Sequence, residues 1–220
     1  MNIDLEEGAE VKLVMLLEPS ENGLVRHEVR AECGVNSHIH IMTIMIGRGD
    51  IYSDDHVTLS GDGARFDADA AYLGKNSQTI DYNIVADHFG KKTESLITVN
   101  GALTDSAKKV FRGTIDFKKG SADSVGSENE TVLMLGDDVV NKTVPLILCA
   151  EENVEGTHGA TIGELDADTM FYFESRGIDR ETAEKIMAYA AVERLIHMAE
   201  DSEFAAVAEK AMGIKTDTEE

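Results

Sequence analysis

The chain has 220 residues, enough for one or two domains that bury roughly 70% of the surface exposed by the unfolded chain. Hydrophobic residues make up 42% and glycine contributes 19 positions, a globular rather than a disordered composition. Forty-two Asp and Glu face 20 Lys and Arg, a formal charge of -22, which argues against nucleic acid and anionic membrane surfaces as partners. No apolar stretch approaches the roughly 18 residues of a membrane span, and the acidic start MNIDLEEGAEVK is unlike a signal peptide, so a cytoplasmic location is expected. Cys33 and Cys149 are too few and too far apart for a disulfide framework, and both are read as buried free thiols.

Up to about residue 162 the chain offers short strands closed by Gly, Asn, Asp or Ser. A candidate at 11–17 precedes a clear alternation over 24–32, where Val25, His27, Val29 and Ala31 share one face and Arg26, Glu28, Arg30 and Glu32 the other. His27 therefore reads as a hydrogen-bonded core histidine. Next come 38–46, 57–60 and 64–73, then Ile80, Tyr82, Ile84 and Ala86 alternating with Asp81 and Asn83. Further candidates are 93–100, the alternation of Phe111, Ile115 and Phe117 with Arg112, Thr114 and Asp116, and the runs 131–135 and 145–150. Strands at this density without intervening helices exclude a doubly wound α/β fold and leave a sandwich, a barrel or an irregular solenoid. Many glycines and few aromatics favour stacked coils with tight turns.

After Asp166 the pattern becomes helical. Asp166 caps a helix over LDADTMFYFESRG, closed by Gly177 in the left-handed position that favours glycine. Asp179 caps a second, from Arg180 to near Glu200, with Glu181 in its first turn. Its wide apolar arc, including Met187, Ala191, Val192, Leu195, Ile196 and Met198, needs cover; Glu193, Arg194, His197 and Glu200 lie opposite. A third helix, Ser202 to Met212, stops at Gly213. The predicted organisation is a β core over 1–165, a helical domain over 166–213 and a flexible acidic tail over 214–220.

Nucleotide-binding motifs are missing: Gly61-Asp-Gly63 lacks a third glycine and a following helix, and Gly74-Lys75-Asn76 lacks the flanks of a phosphate loop. No nucleotide is expected on this chain, and no GxSxG or HExxH supports a hydrolase. His38 and His40, two apart in a strand, can grip a metal or simply be two polar positions on one face. His56, His88 and His197 stand alone. His158 sits where dense Gly, Ala and Thr mark a tight passage from the last strand to the first helix.

The segment Thr157 to Ile178, THGATIGELDADTMFYFESRGI, resembles the C-terminal signature of the SufB/SufD family of iron–sulfur cluster assembly scaffolds, on the SufD side. Lys109-Val-Phe-Arg-Gly-Thr-Ile115, the stretch ending Leu133-Met-Leu135 and Pro145-Leu-Ile-Leu148 extend the likeness over roughly 30–200. The resemblance implies a right-handed parallel β-helix followed by a small helical domain. It also implies a non-enzymatic scaffold that pairs through its β-helix with a SufB-type subunit or a second copy of itself, and docks the ATPase SufC through the C-terminal helices. Its cargo would be a transient iron–sulfur cluster at the subunit interface, with His158 matching the histidine of the family's HGAT motif as the possible metal ligand.

Two departures stand beside the match. Where many SufD-type proteins carry a cysteine two residues before that histidine, this chain has Gly156, and Asp137 to Pro145 contains no thiol in place of the SufB cysteine. Cys149, on the strand leading into the loop, is the nearest thiol in sequence. The chain also starts almost directly in strands and reads as a short form without the family's N-terminal helical domain. The rival readings are a stand-alone β-helix enzyme acting on carbohydrate and a structural homo-oligomer without a cluster role.

Overall fold

In the computed structural model, residues 1–213 are described. The predicted tail, 214–220, lies outside them. Twelve strands come first: β1 (Asn2–Leu5), β2 (Glu10–Leu17), β3 (Leu24–Cys33), β4 (His38–Met45), β5 (Asp50–Leu59), β6 (Arg65–Gly74), β7 (Thr79–His88), β8 (Glu94–Thr104), β9 (Lys108–Phe117), β10 (Ser124–Leu135), β11 (Val140–Cys149) and β12 (Val154–Gly163). Three helices follow, α1 (Ala167–Ser175), α2 (Arg180–Met198) and α3 (Ser202–Met212).

Odd-numbered strands build one six-stranded sheet in the order β1-β3-β5-β7-β9-β11, and even-numbered strands build the other, β12-β10-β8-β6-β4-β2. All pairings are parallel, so the chain alternates between two facing sheets and climbs one strand spacing per turn, a β-solenoid. Ladder partners on neighbouring coils lie 26 (Leu24 and Asp50), 29 (Thr79 and Lys108) and 32 (Lys108 and Val140) residues apart, an uneven step that leaves no exact repeat to read. Turns between strands are tight, and Asn36, Asn76 and Asp105 adopt positive φ there, as short polar side chains do.

Between the sheets lies one apolar interior, in which Ile39 and Ile41 of β4 meet Ile51, Ile80, Ile84, Phe111 and Ile115. Alternation fixes the other face: Met42, Ile44 and Ile46 point outward, where Ala188, Val192, Leu195 and Ile196 of α2 cover them together with Ala71, Leu73 and Ala102. Most of the apolar arc of α2 is thus buried on its own chain, while Met198 at its end is exposed. Its polar side, with Glu193, Arg194, His197 and Glu200, faces solvent as predicted.

Helix ends follow the sequence closely. Asp166, Asp179 and Asp201 accept from the backbone of Thr169, Thr182 and Phe204, each supplying a partner to an otherwise open N–H. Gly177, at φ +79°, donates to Glu174 O while Ile178 donates to Phe173 O, the paired bonds of a left-handed helix stop. Lys12 Nζ donates to Ala199 O at 2.6 Å and ties the end of α2 to β2. No described helix is long and apolar enough to cross a membrane.

Several strands begin earlier than alternation predicts. β1 was not predicted; β5, β10 and β11 start at Asp50, Ser124 and Val140, ahead of the expected 57, 131 and 145. Cys33 is buried, and burial pushes its thiol up to about 11, but Cys149 is exposed, contrary to the expectation of two buried thiols. The tight strand-to-helix passage around His158 is instead the twelfth strand.

Candidate functional site

The last coil ends the solenoid without a strand stacked on it. β11 and β12 are the terminal strands of their sheets, and almost every residue of β12 is exposed. A Cβ built on Gly156 would meet Ile147 and Phe117, which places Gly156 on the inner face, and alternation puts His158 and Ala160 there as well. His158 therefore projects toward the interior yet remains accessible, because nothing closes the coil above it. Cys149 ends β11 beside Phe117, on the same inner side as Ile147 and Thr143. The register sets His158 across from Pro145 and Cys149 at the other end of the coil, across from Val154, so the structure does not bring the imidazole and the thiol together.

Beneath this last coil lies a charged interior that alternation alone did not identify. Glu128, the ladder neighbour of His158, is buried, and its carboxyl crosses to β9, where Gly113 leaves room: a Cβ there would sit 1.9 Å from Glu128 Oε2. Two positions on, buried Glu130 accepts from Lys109 Nζ and, at 2.5 Å, from Thr143 Oγ1, while Lys109 also donates to Thr143 Oγ1 at 3.2 Å. Burial lowers the Lys109 pKa against the pull of Glu130. Burial, reinforced by Glu130, raises that of Glu128 to about 7. Polar residues occupy both faces in Ser127-Glu-Asn-Glu130, so no alternation marks the inward pair; only the register running back from buried Val132 does so.

The other histidines are arranged differently. His38 Nε2 bonds Asp67 at 2.9 Å and His40 Nε2 bonds Asp69 at 2.8 Å, with the two rings parallel and 6.5 Å apart. The acidic partners, 29 residues away in sequence, come from the next coil. Each ring is held by its own carboxylate and the two do not converge. His56 repeats the arrangement with Asp87 at 2.7 Å. His88 is fully buried between Thr93 and Ser95, and burial lowers its pKa to about 4. His27 is only partly buried, and its Nδ1 has no hydrogen-bond partner, in contrast to the bonded core residue expected. Among the described residues no group of three or more His, Cys, Asp or Glu is placed to hold a metal ion.

Residues 1–191 match the family model described as SUF system FeS cluster assembly, SufBD core domain. The iron–sulfur cluster assembly protein SufD of Bacillus subtilis is 31% identical over 156 residues, 71% of this chain and 36% of its own length. SufBD family proteins of Synechocystis sp. and of Arabidopsis thaliana, the latter chloroplastic, are each 25% identical over 182 residues, 83% of this chain and 38% and 32% of their own lengths. The chain thus spans about a third of the length of these relatives.

Proposed function

Because the chain belongs to the SufBD family of the SUF iron–sulfur cluster assembly system, we propose that it is a SufD-like, non-enzymatic scaffold subunit that presents His158 to a nascent cluster at a subunit junction. The observation that carries this reading is the open last coil, where the inner-face imidazole of His158 is accessible because no strand is stacked on β12. A neutral imidazole suits iron, and a coil that supplies one imidazole needs donors from a facing subunit to complete an iron coordination sphere.

Pairing through the same end follows from what it leaves uncovered. β11 exposes Val144, Leu146 and Leu148 on its outer side, beside the polar Arg112, Thr114 and Asp116 of β9, and its backbone edge is unpaired. An open edge with an apolar border is a template for another strand, so a SufB-type subunit or a second copy would continue both sheets.

The SufC-type ATPase is assigned to the helices, though not to the arc of α2, most of which the solenoid covers. α1 offers the better surface: Phe171 is 72% exposed, and Tyr172 beside it is half exposed and stacked by Arg176 at 4.6 Å. ATP hydrolysis then resides in that partner. Anaerobic co-purification with SufB-type and SufC-type subunits tests the proposal: a stable complex carrying iron and sulfide supports it, and a chain that binds neither partner refutes it.

A further inference from the structure

The interior near the first coils is not uniformly apolar. Asp55 of β5 is fully buried; its Oδ2 accepts from the Tyr82 hydroxyl at 3.0 Å, and its Oδ1 has no partner. His27 Nδ1, also unpartnered, lies 4.0 Å from that Oδ1, beyond hydrogen-bonding reach. Two more unpartnered buried atoms belong to the same place. Ser53 Oγ neighbours His27 in the β3–β5 ladder, and Thr43 Oγ1 of the facing sheet lies close to the Tyr82 phenol.

Three unpartnered polar atoms around a buried carboxyl whose own Oδ1 is also unpartnered are unusual, since buried polar groups are nearly always paired or hold an ordered water or ion. The separation of 4.0 Å between nitrogen and oxygen fits an ion lying nearly in line between them, with the two as opposed ligands at bonds of about 2.0–2.2 Å each. The site contains one imidazole, one carboxylate and hydroxyls but no sulfur, a set suited to a divalent first-row ion rather than a soft monovalent one. Burial first, and the nearby amino terminus second, lower the His27 pKa, which favours the neutral ring that a metal requires. Burial pushes the Asp55 carboxyl up to about 7, so an ion would release a proton and restore the carboxylate. There is also a way in. β1 pairs only with Arg30–Cys33 of β3, no strand covers His27, and its side chain is 21% exposed.

We propose that His27, Ser53, Asp55 and Thr43 form a binding site for a divalent first-row metal ion near the start of the solenoid, with His27 Nδ1 and Asp55 Oδ1 as its principal ligands. The site is independent of the cargo-binding role proposed for the far end.

Cobalt(II), titrated into the full chain and followed by its visible absorption and by the melting temperature, is the probe. One equivalent should bind and raise the melting temperature. Asp55→Asn keeps the shape and the acceptor for Tyr82, and His27→Ala removes a partly exposed ring. Each should weaken binding by more than about tenfold and abolish the thermal shift, while His197→Ala, at an exposed histidine outside both proposed sites, changes neither. Should Asp55→Asn not fold, His27→Ala carries the same test alone. Absence of cobalt uptake, which would leave a bridging water as the occupant, overturns the proposal. So does uptake that His27→Ala and Asp55→Asn do not alter, which would assign the ion to the acidic surface.

Discussion

His158 and Glu128 are ladder neighbours on the inner face of β12 and β10, one open to solvent on the last coil and the other sealed one coil deeper. The exposed imidazole is free to take a ligand, whereas the carboxyl behind it is committed to the interior. Function and stability are therefore separable at this end of the molecule, and each can be tested by its own substitutions.

Gly113 makes the buried carboxyl possible. Gly113→Ala would place a methyl group 1.9 Å from Glu128 Oε2 and should destabilise the fold by about 1–3 kcal/mol, as overpacked cores do. Urea denaturation of Gly113→Ala, Glu128→Ala and the double variant checks this. The double variant should regain stability relative to the sum of the singles, and strict additivity would show that the two residues do not interfere.

The buried pair of Lys109 and Glu130 gives an asymmetric expectation. Lys109→Met leaves an uncompensated carboxylate with only Thr143 as donor and should cost about 3–5 kcal/mol, while Lys109→Met with Glu130→Leu should come close to the wild type. Thermal and urea denaturation of the three proteins distinguishes this from a surface ion pair, for which every variant would fall within about 1 kcal/mol.

Acid sensitivity should arise in part from His88. Burial lowers its pKa from 6.5 to about 4, so between these values the unfolded chain binds a proton that the folded chain does not. Its contribution is present above pH 6.5, is lost as pH falls toward 4, and amounts to about 3 kcal/mol when complete. In NMR spectra the His88 ring should remain neutral at pH 5.5, and a ring that titrates near 6.5 would contradict the buried, doubly bonded geometry.

Docking of a SufC-type ATPase on α1 predicts that Phe171→Asp weakens association by more than about tenfold without lowering the melting temperature, because the ring is 72% exposed. Calorimetry with the purified partner reads it directly. Deleting α2 would be a poor test, since it strips the cover from Met42, Ile44 and Leu73 of the solenoid.

The helical C-terminal part was legible almost to the residue, because caps and stops are local signals: Asp166, Asp179, Gly177 and Gly213 act where the sequence places them. The strands were legible where one face is polar. They were lost where polarity appears on both faces, as at the start of β5, where Asp54 is outward and Asp55 inward, and along β12, whose inner face has no coil to bury it and so needs no apolar residues. The match of His158 to a family motif pointed to the site, but its strand position did not follow from composition: Gly, Ala and Thr also suit a turn. The partners of His38 and His40 lay a full coil away in sequence, beyond any local pattern.

The central claim is that His158 holds the cargo and not the fold. The measurement that addresses it most directly is the iron and sulfide content of the anaerobically reconstituted complex with SufB-type and SufC-type subunits, comparing wild type and His158→Ala alongside their melting curves. Because the imidazole is exposed and no protein hydrogen bond anchors it among the described residues, the variant should melt within about 1 kcal/mol of wild type and still assemble. Its iron and sulfide should fall severalfold at least. A His158→Ala complex that carries the full complement of iron and sulfide would contradict the account.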